Sequence, residues 1–223
     1  MGYHFQWSVI WQNWDLFLEG VILTIEITAV ATVLGLVIGM AMAGLQLMKN
    51  RVLNAIIQAY IEIIRNTPFL VQLFFVYFGL PTLGIKLPAT QAALIALTIN
   101  IGAYATEIVR AGIEAISKGQ IEAGRSLGLS GLQIFLYIII KPALMTVYPA
   151  LTSQFILIML NTAVISVISA KELAYQAKYL QSRTFRNFEI YFFITLLYLC
   201  LAYLFRFSFG VIGKLAFGKA RMN

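Results

Sequence analysis

Gln120-Ile-Glu-Ala-Gly-Arg-Ser-Leu-Gly-Leu-Ser130 is a polar, glycine-bearing, helix-prone stretch set between two long apolar segments. The chain around it has the composition of a membrane protein. Its 223 residues are 61% hydrophobic and 11% charged, with a mean hydropathy of +0.85. A soluble domain carries about 25% charged residues. A hydrocarbon layer about 30 Å thick takes roughly 20 apolar residues per helix. Backbone groups inside it must bond one another. The apolar runs are too long for barrel strands, so the fold class is all-α, integral to the membrane. Crossing a bilayer does not require a polar insert of this kind, so the stretch calls for a role of its own.

Working outward, five apolar segments are expected to span: Leu16 to Leu47, Leu53 to Leu80, Ala92 to Val109, Leu144 to Ser169 and Ile190 to Ile212. No soluble domain fits between them, and residues 1–223 read as a single transmembrane domain. Five transmembrane helices put the termini on opposite sides. The positive-inside rule orients them. Lys49, Arg51, Arg110, Lys118, Arg125, Lys141, Arg206, Lys214, Lys219 and Arg221 fall on the cytoplasmic side, with Lys86, Lys171, Lys178, Arg183 and Arg186 opposite. The N-terminus is therefore outside and the C-terminus cytoplasmic. The N-terminal residues lack a basic flank, so the first span is expected to serve as an uncleaved targeting signal. Four basic residues between Lys171 and Glu189 strain the rule. Either the bias tolerates them, or they form a patch for an external partner. Trp7, Trp11 and Trp14 read as interfacial anchors, and their spacing also fits an amphipathic stretch lying on the outer surface.

This topology makes the loop at about 114–141 cytoplasmic. Ser117 and Gln120 have capping-box spacing, Gly128 interrupts the following turn, and Ser130 can cap a second helix. Ala123, Gly124 and Gly128 leave room for another surface to approach. Pro142 is expected to mark the start of the fourth span.

Glu122-Ala123-Gly124, with Gly128 six positions after the glutamate and an apolar run ending in Pro142, resembles the EAA loop of bacterial ABC-importer permeases. Gly102-Ala-Tyr-Ala-Thr-Glu-Ile-Val-Arg-Ala-Gly-Ile113 and Arg65-Asn-Thr-Pro-Phe-Leu-Val-Gln-Leu-Phe-Phe75 resemble the subunits that import polar amino acids. The resemblance implies a type I ABC importer fold. It also implies coupling to a cytoplasmic ATPase dimer through Glu122, Ala123, Gly124, Ser126, Leu127, Gly128 and Leu129. A second permease, identical or different, would complete the path, and a periplasmic or extracellular amino-acid-binding protein would deliver the substrate. The implied location is the bacterial cytoplasmic (inner) membrane, multi-pass and in contact with lipid. Two departures stand out. Gly124 replaces the usual alanine, which should loosen the coupling helix by up to about 1 kcal/mol. Ile140-Lys141-Pro142 carries its proline one residue later than the Leu-Pro-Gln of many relatives.

Polar residues inside spans are costly and point to function. The second span offers Asn66, Thr67 and Gln72 beside Pro68, which frees a backbone carbonyl one turn earlier. The competing reading is a kink, with Arg65 paired to Glu62 or Glu107. Glu107 and Arg110 are one turn apart and suited to a local ion pair, so Asn100 is the better ligand candidate in the third span. The fourth span offers Gln154, Asn161 and Thr162. Gln154 and Asn161 are seven apart, hence on one face. They are either substrate contacts or interhelical hydrogen bonds. Relatives that import basic amino acids look acidic at the matching positions, so the neutral amides imply a neutral or acidic substrate. Gly35 and Gly39, with Ala43 next in the series, are a packing signal.

The chain offers no engine. Gly213-Lys-Leu-Ala-Phe-Gly-Lys-Ala220 imitates a phosphate loop but lacks the Ser or Thr that would hold magnesium. No catalytic residue or cofactor is expected in this chain; ATP and Mg would be bound by the partner ATPase. Cys200 is a lone small hydrophobe without metal spacing. The basic residues are dispersed over short loops, which excludes nucleic acid. The rival reading is an ATP-independent channel or proton-coupled carrier for a small polar solute, suggested by Arg65 and Glu107 near apolar spans.

Overall fold

The computed structural model describes residues 4–48 and 50–218; Lys49, Lys219 and Arg221 of the topology count, and Ala220 of the phosphate-loop lookalike, lie outside the described residues. Helix α1 (Ser8–Gln12) is short. Helix α2 (Trp14–Gln46) is the first long span, and α3 (Arg51–Arg65) follows, with the Asn50 side chain accepting the Val52 and Leu53 N–H groups. Helix α4 (Phe69–Phe74) continues through a π-helical turn Phe75–Gly79 and a 3-10 turn Leu80–Leu83. Then come α5 (Ala89–Glu114), α6 (Lys118–Ser126), α7 (Gly131–Gln133), a π-helical stretch Ile134–Ile139 and α8 (Ile140–Asn161). A 3-10 turn Thr162–Ile168 leads to α9 (Leu173–Thr184) and α10 (Asn187–Phe217).

Among the described residues, four helical stretches, Trp14–Gln46, Ala89–Glu114, Gly131–Ile168 and Asn187–Phe217, are long and apolar enough to cross a bilayer. The expected second span is not straight. Arg51–Arg65 and Phe69–Leu83 meet at 108°, and the pair makes a fifth span only when counted together. Pro68 explains the break, since it lacks a donor and restricts Thr67.

The fourth span corrects a second expectation. It starts at Gly131, well before Pro142. The helix carries the proline by widening ahead of it. Through Ile134–Ile139 the bonding shifts one residue further back, as in the Ile140 N–H to the Phe135 carbonyl. This π register makes room where a proline ring would crowd a preceding carbonyl. The phosphate-loop lookalike, already set aside for want of a Ser or Thr, lies on a helix. Gly213 to Phe217 are the last residues of α10, and a Cβ on Gly213 would lie 2.6 Å from Tyr148 Cε1. Gly213 is thus a packing glycine.

The contacts gather into two compact units. One takes the chain up to Ala31, Phe69–Leu97 and Ile156–Ser208; the other takes Thr32–Pro68, Thr98–Phe155 and the chain from Phe209. The first is built on Ile10, Phe17, Met159, Leu173, Leu180, Ile190, Ile194 and Leu201. Glycine lets α2 approach α9 there: a Cβ on Gly20 would lie 2.8 Å from Leu173 Cα. Around this core, Trp7, Trp11 and Trp14 ring-pack with Phe192 and Phe193. The second unit is built on Ala43, Val109, Ile113, Ile134, Ile139 and Ala143. Its α2–α5 seam uses the glycine pair. A Cβ on Gly35 would lie 2.3 Å from Ile101 Cγ2, and one on Gly39 2.5 Å from Ala105 Cβ. Small residues bring the helix backbones together, which in a membrane is a main source of helix adhesion.

Candidate functional site

The polar insert lies in the second unit. Ser117 has the extended backbone of an N-cap, but its side chain makes no capping bond; the Gln120 N–H reaches the Ser117 carbonyl instead. The box predicted at Ser117 and Gln120 forms thirteen residues later. There the Gln133 N–H donates to Ser130 Oγ at 3.3 Å, and the Ser130 N–H to Gln133 Oε1 at 2.8 Å. Between them α6 ends on Gly128, at φ +76°. The Gly128 N–H bonds the Arg125 carbonyl, and the Leu129 N–H bonds that of Gly124. This paired reversal needs a left-handed residue just past the helix, a conformation glycine adopts without steric penalty. Helix, glycine stop and second capped helix therefore stand as the sequence predicted.

The insert has two faces. Glu122, Ala123, Ser126, Leu127 and Gly128 are exposed, Leu127 at 79%. Gly124 is buried, and a Cβ there would lie 2.5 Å from Ile138 Cδ1 and 3.3 Å from Ile134 Cγ1. The glycine does not leave room for a visiting surface; it lets α6 settle on the π-helical stretch of its own chain. Leu129 also turns inward, against the core of the unit. Helix α6 is a short rod, anchored along one side and exposed along the other.

A cleft of ≈ 600 Å³ opens in the same unit, lined by Gln46, Arg51, Asn54, Gln58, Arg110 and Glu114 among others. The sequence reading weighed Arg65 and Glu62 on this segment but not Asn54 and Gln58; the spacing of Asn54, Gln58 and Glu62 marks one polar helix face. An ion network adjoins it. Arg110 Nε donates to Glu107 Oε2 at 3.1 Å, and Arg110 also pairs with Glu114. Arg65 Nη1 lies 4.0 Å from Glu107, and its guanidinium sits 5.5 Å from the centre of the Tyr104 ring. Glu107 is therefore bonded to Arg110, with Arg65 at the outer edge of ion-pair range.

The predicted substrate residues are divided between the units. In the second, Asn66 and Thr67 close the end of α3: Asn66 Nδ2 donates to the Glu62 carbonyl at 2.9 Å and Thr67 Oγ1 to that of Ile63 at 2.7 Å. These side chains serve the carbonyls at the break, which the sequence reading had left to a ligand. Asn100 is buried and Gln154 half-buried. In the first unit, Gln72 is half-buried on α4, Asn161 is exposed, and Thr162 is fully buried, with Oγ1 donating to the Met159 carbonyl at 2.6 Å. Among the described residues no group of His, Cys, Asp and Glu could hold a metal ion.

Residues 35–216 match the family described as binding-protein-dependent transport system inner membrane component. The chain is 37% identical over 194 residues to the probable glutamine ABC transporter permease protein GlnM of Bacillus subtilis (strain 168), covering 87% of this chain and 90% of that one. It is 35% identical over 197 residues to the glutamine transport system permease protein GlnP of Escherichia coli (strain K12), with the same two shares. Among solved structures, an amino acid ABC transporter crystallised with histidines superposes with a TM-score of 0.85 at 35% identity, covering 95% of this chain and 99% of that one. An inward-facing MetNI methionine ABC transporter gives 0.77 at 26% identity, covering 90% and 96%.

Proposed function

We propose that this chain, which belongs to the family of binding-protein-dependent transport system inner membrane components, carries a neutral polar amino acid of the glutamine type across the bacterial cytoplasmic membrane. It is a multi-pass permease subunit with the type I ABC importer fold. The observation that carries the mechanism is the two-faced α6. Gly124 and Leu129 fix it to the permease, while Glu122, Ala123, Ser126 and Leu127 present a ridge with an apolar tip. Leu127 would enter a groove on a cytoplasmic ATPase dimer. The glycine stop at Gly128 and the capped helix after it would carry movement of α6 into the fourth span, because Gly131–Ile168 is one continuous helical stretch. ATP and Mg would be held by that partner, not by this chain. A second permease subunit and an external amino-acid-binding protein would complete the assembly.

The substrate class rests on two supports. The relatives above are named for glutamine. The candidate contacts Asn100, Gln154 and Asn161 carry no formal charge, so a cationic side chain would be desolvated without a counter-ion. The channel or carrier reading rested on Arg65 and Glu107, but Glu107 is bonded to Arg110, and the family match favours the importer.

Cross-linking in membranes, purification and uptake into proteoliposomes test the proposal. An ATPase and an amino-acid-binding protein should be recovered, and glutamine uptake should require ATP; uptake that persists without ATP overturns it. Gly128→Asp should abolish coupled uptake while leaving insertion intact, because φ +76° disfavours a side chain and nothing lies within 4 Å of the added Cβ. Loss of insertion would make the loop a folding element instead.

A further inference from the structure

The segment from Lys171 to Glu189 carries four basic residues on the side that the positive-inside rule keeps poor in them. Its acids do not balance them at the surface, because Glu172 and Glu189 are both 0% exposed. Glu172 accepts the Tyr175 N–H at 2.8 Å and the Tyr198 hydroxyl at 2.7 Å. Glu189 accepts the Gln6 N–H at 2.9 Å and has Arg186 Nη1 3.9 Å away. Arg186 also donates to the His4 carbonyl at 3.0 Å. Lys171, Lys178 and Arg183 remain exposed, and among the described residues none of them forms an ion pair.

Helix α9 presents these charges on a fixed base. Leu173, Gln176, Ala177 and Leu180 recur at helical spacing and are buried. The Leu173 N–H bonds Thr24 Oγ1 at 3.3 Å, and Gly20 lets α2 approach the Leu173 backbone. The opposite arc holds Lys178, Tyr179, Ser182 and Arg183, with the Arg183 guanidinium 4.6 Å from the centre of the Tyr179 ring. Helix α9 ends on Phe185, which is 79% exposed at φ +56°. An aromatic L-residue rarely takes that conformation, and strained residues of this kind cluster at functional sites.

We propose that Lys171, Lys178, Tyr179, Arg183 and Phe185 form a docking face for an acidic patch on the external amino-acid-binding protein. The assignment rests on the permease reading above and identifies where on this chain the partner would land. Exposed positive charge held in no ion pair would steer a partner of opposite charge and orient it. Tyr, Arg and Phe are enriched where protein interfaces are anchored. A lipid surface would need the charge but gives no reason for an aromatic held outward in a strained conformation.

The test is binding-protein-stimulated ATP hydrolysis by the assembled transporter in nanodiscs, titrated with the amino-acid-binding protein recovered by cross-linking. Lys178→Glu with Arg183→Glu should raise the half-saturating concentration at least about tenfold and flatten its salt dependence, leaving basal hydrolysis unchanged. Phe185→Ala should raise it several-fold while preserving the salt dependence. Unchanged half-saturation in the charge-reversed variant overturns the proposal. Were that variant to misfold, the wild type would decide the matter: binding that ignores ionic strength overturns it equally. Nanodiscs of phosphatidylcholine and of phosphatidylglycerol separate the lipid alternative; a variant effect seen only with the anionic lipid also overturns it. If the wild type shows no stimulation at all, the permease reading has failed, whereas stimulation with an unchanged variant removes the docking face alone.

Discussion

Gly124→Ala places alanine at the third position of the Glu122-Ala123-Gly124 triplet, and the structure fixes what it should do. The new Cβ would stand 2.5 Å from Ile138 Cδ1, against about 3.5–4.0 Å for a comfortable carbon contact, so Cδ1 must retreat by about 1 Å. Turning a side chain that far from its rotamer costs about 0.5–1.5 kcal/mol. Replacing glycine by alanine within a helix returns about 1 kcal/mol. The single substitution should therefore change stability by no more than about 0.5 kcal/mol. Ile138→Val removes the obstructing Cδ1 and leaves Ile134 Cγ1 as the nearest atom at 3.3 Å, a contact that a small shift relieves. In that background Gly124→Ala should stabilise by about 1 kcal/mol, giving a coupling of about 1 kcal/mol between the two sites. Thermal unfolding of all four proteins in one detergent closes the cycle. Coupled uptake should survive in each, because both side chains face the chain's own interior. Additive stabilities, or loss of coupling without loss of stability, would mean that Gly124 meets the ATPase and that the inward face has been misassigned.

The caps and the buried acid provide two more expectations. Ser130→Ala should destabilise by about 1 kcal/mol, because Ser130 and Gln133 satisfy each other's N–H groups, whereas Ser117→Ala should be nearly silent; equal effects by thermal unfolding would contradict the assignment. Burial pushes the Glu172 carboxyl above its ordinary range, against the opposing hydrogen bonds from Tyr198 and from the Ala174 and Tyr175 N–H groups. A folded-state value above the unfolded one makes stability fall as pH rises from the ordinary carboxylate range through the raised value. Glu172→Gln should flatten that fall, and melting curves that stay parallel from pH 4 to pH 8 would refute it.

The long spans were legible because apolar length is decisive in a membrane. Leu16 to Leu47 became Trp14–Gln46, and Ile190 to Ile212 became Asn187–Phe217. The ends were underestimated because helices continue past the apolar run into residues such as Glu114 and Lys214. Pro68 announced a break, but no residue pattern encodes a 108° angle. Pro142 misled because a proline can be absorbed by a π register, which depends on the neighbouring turns and not on the proline alone. Gly124 misled differently. A glycine at a helical position tells that space is short on some side, and only the packed structure says whose atoms fill it.

The coupling insert and the substrate residues differ in legibility for a physical reason. A left-handed glycine and a reciprocal cap are local, settled within six residues, so Gly128 and Ser130 could be read from sequence. Selection of a solute depends on which polar groups survive the chain's own demands, and those demands are tertiary. Asn161 and Thr162 show the difference at adjacent positions. The helix tightens from α to 3-10 between them; Thr162 is sealed and spends its hydroxyl on the Met159 carbonyl, while Asn161 stays exposed. An amide on an apolar span is costly against lipid. Asn161 is therefore better accounted for by a polar path or a second permease subunit than by hydrocarbon. Asn66 and Thr67 are bound to their own backbone, and Glu107 to Arg110. The proposed substrate, an uncharged amino acid whose side chain both donates and accepts hydrogen bonds, would suit contacts that are neutral amides.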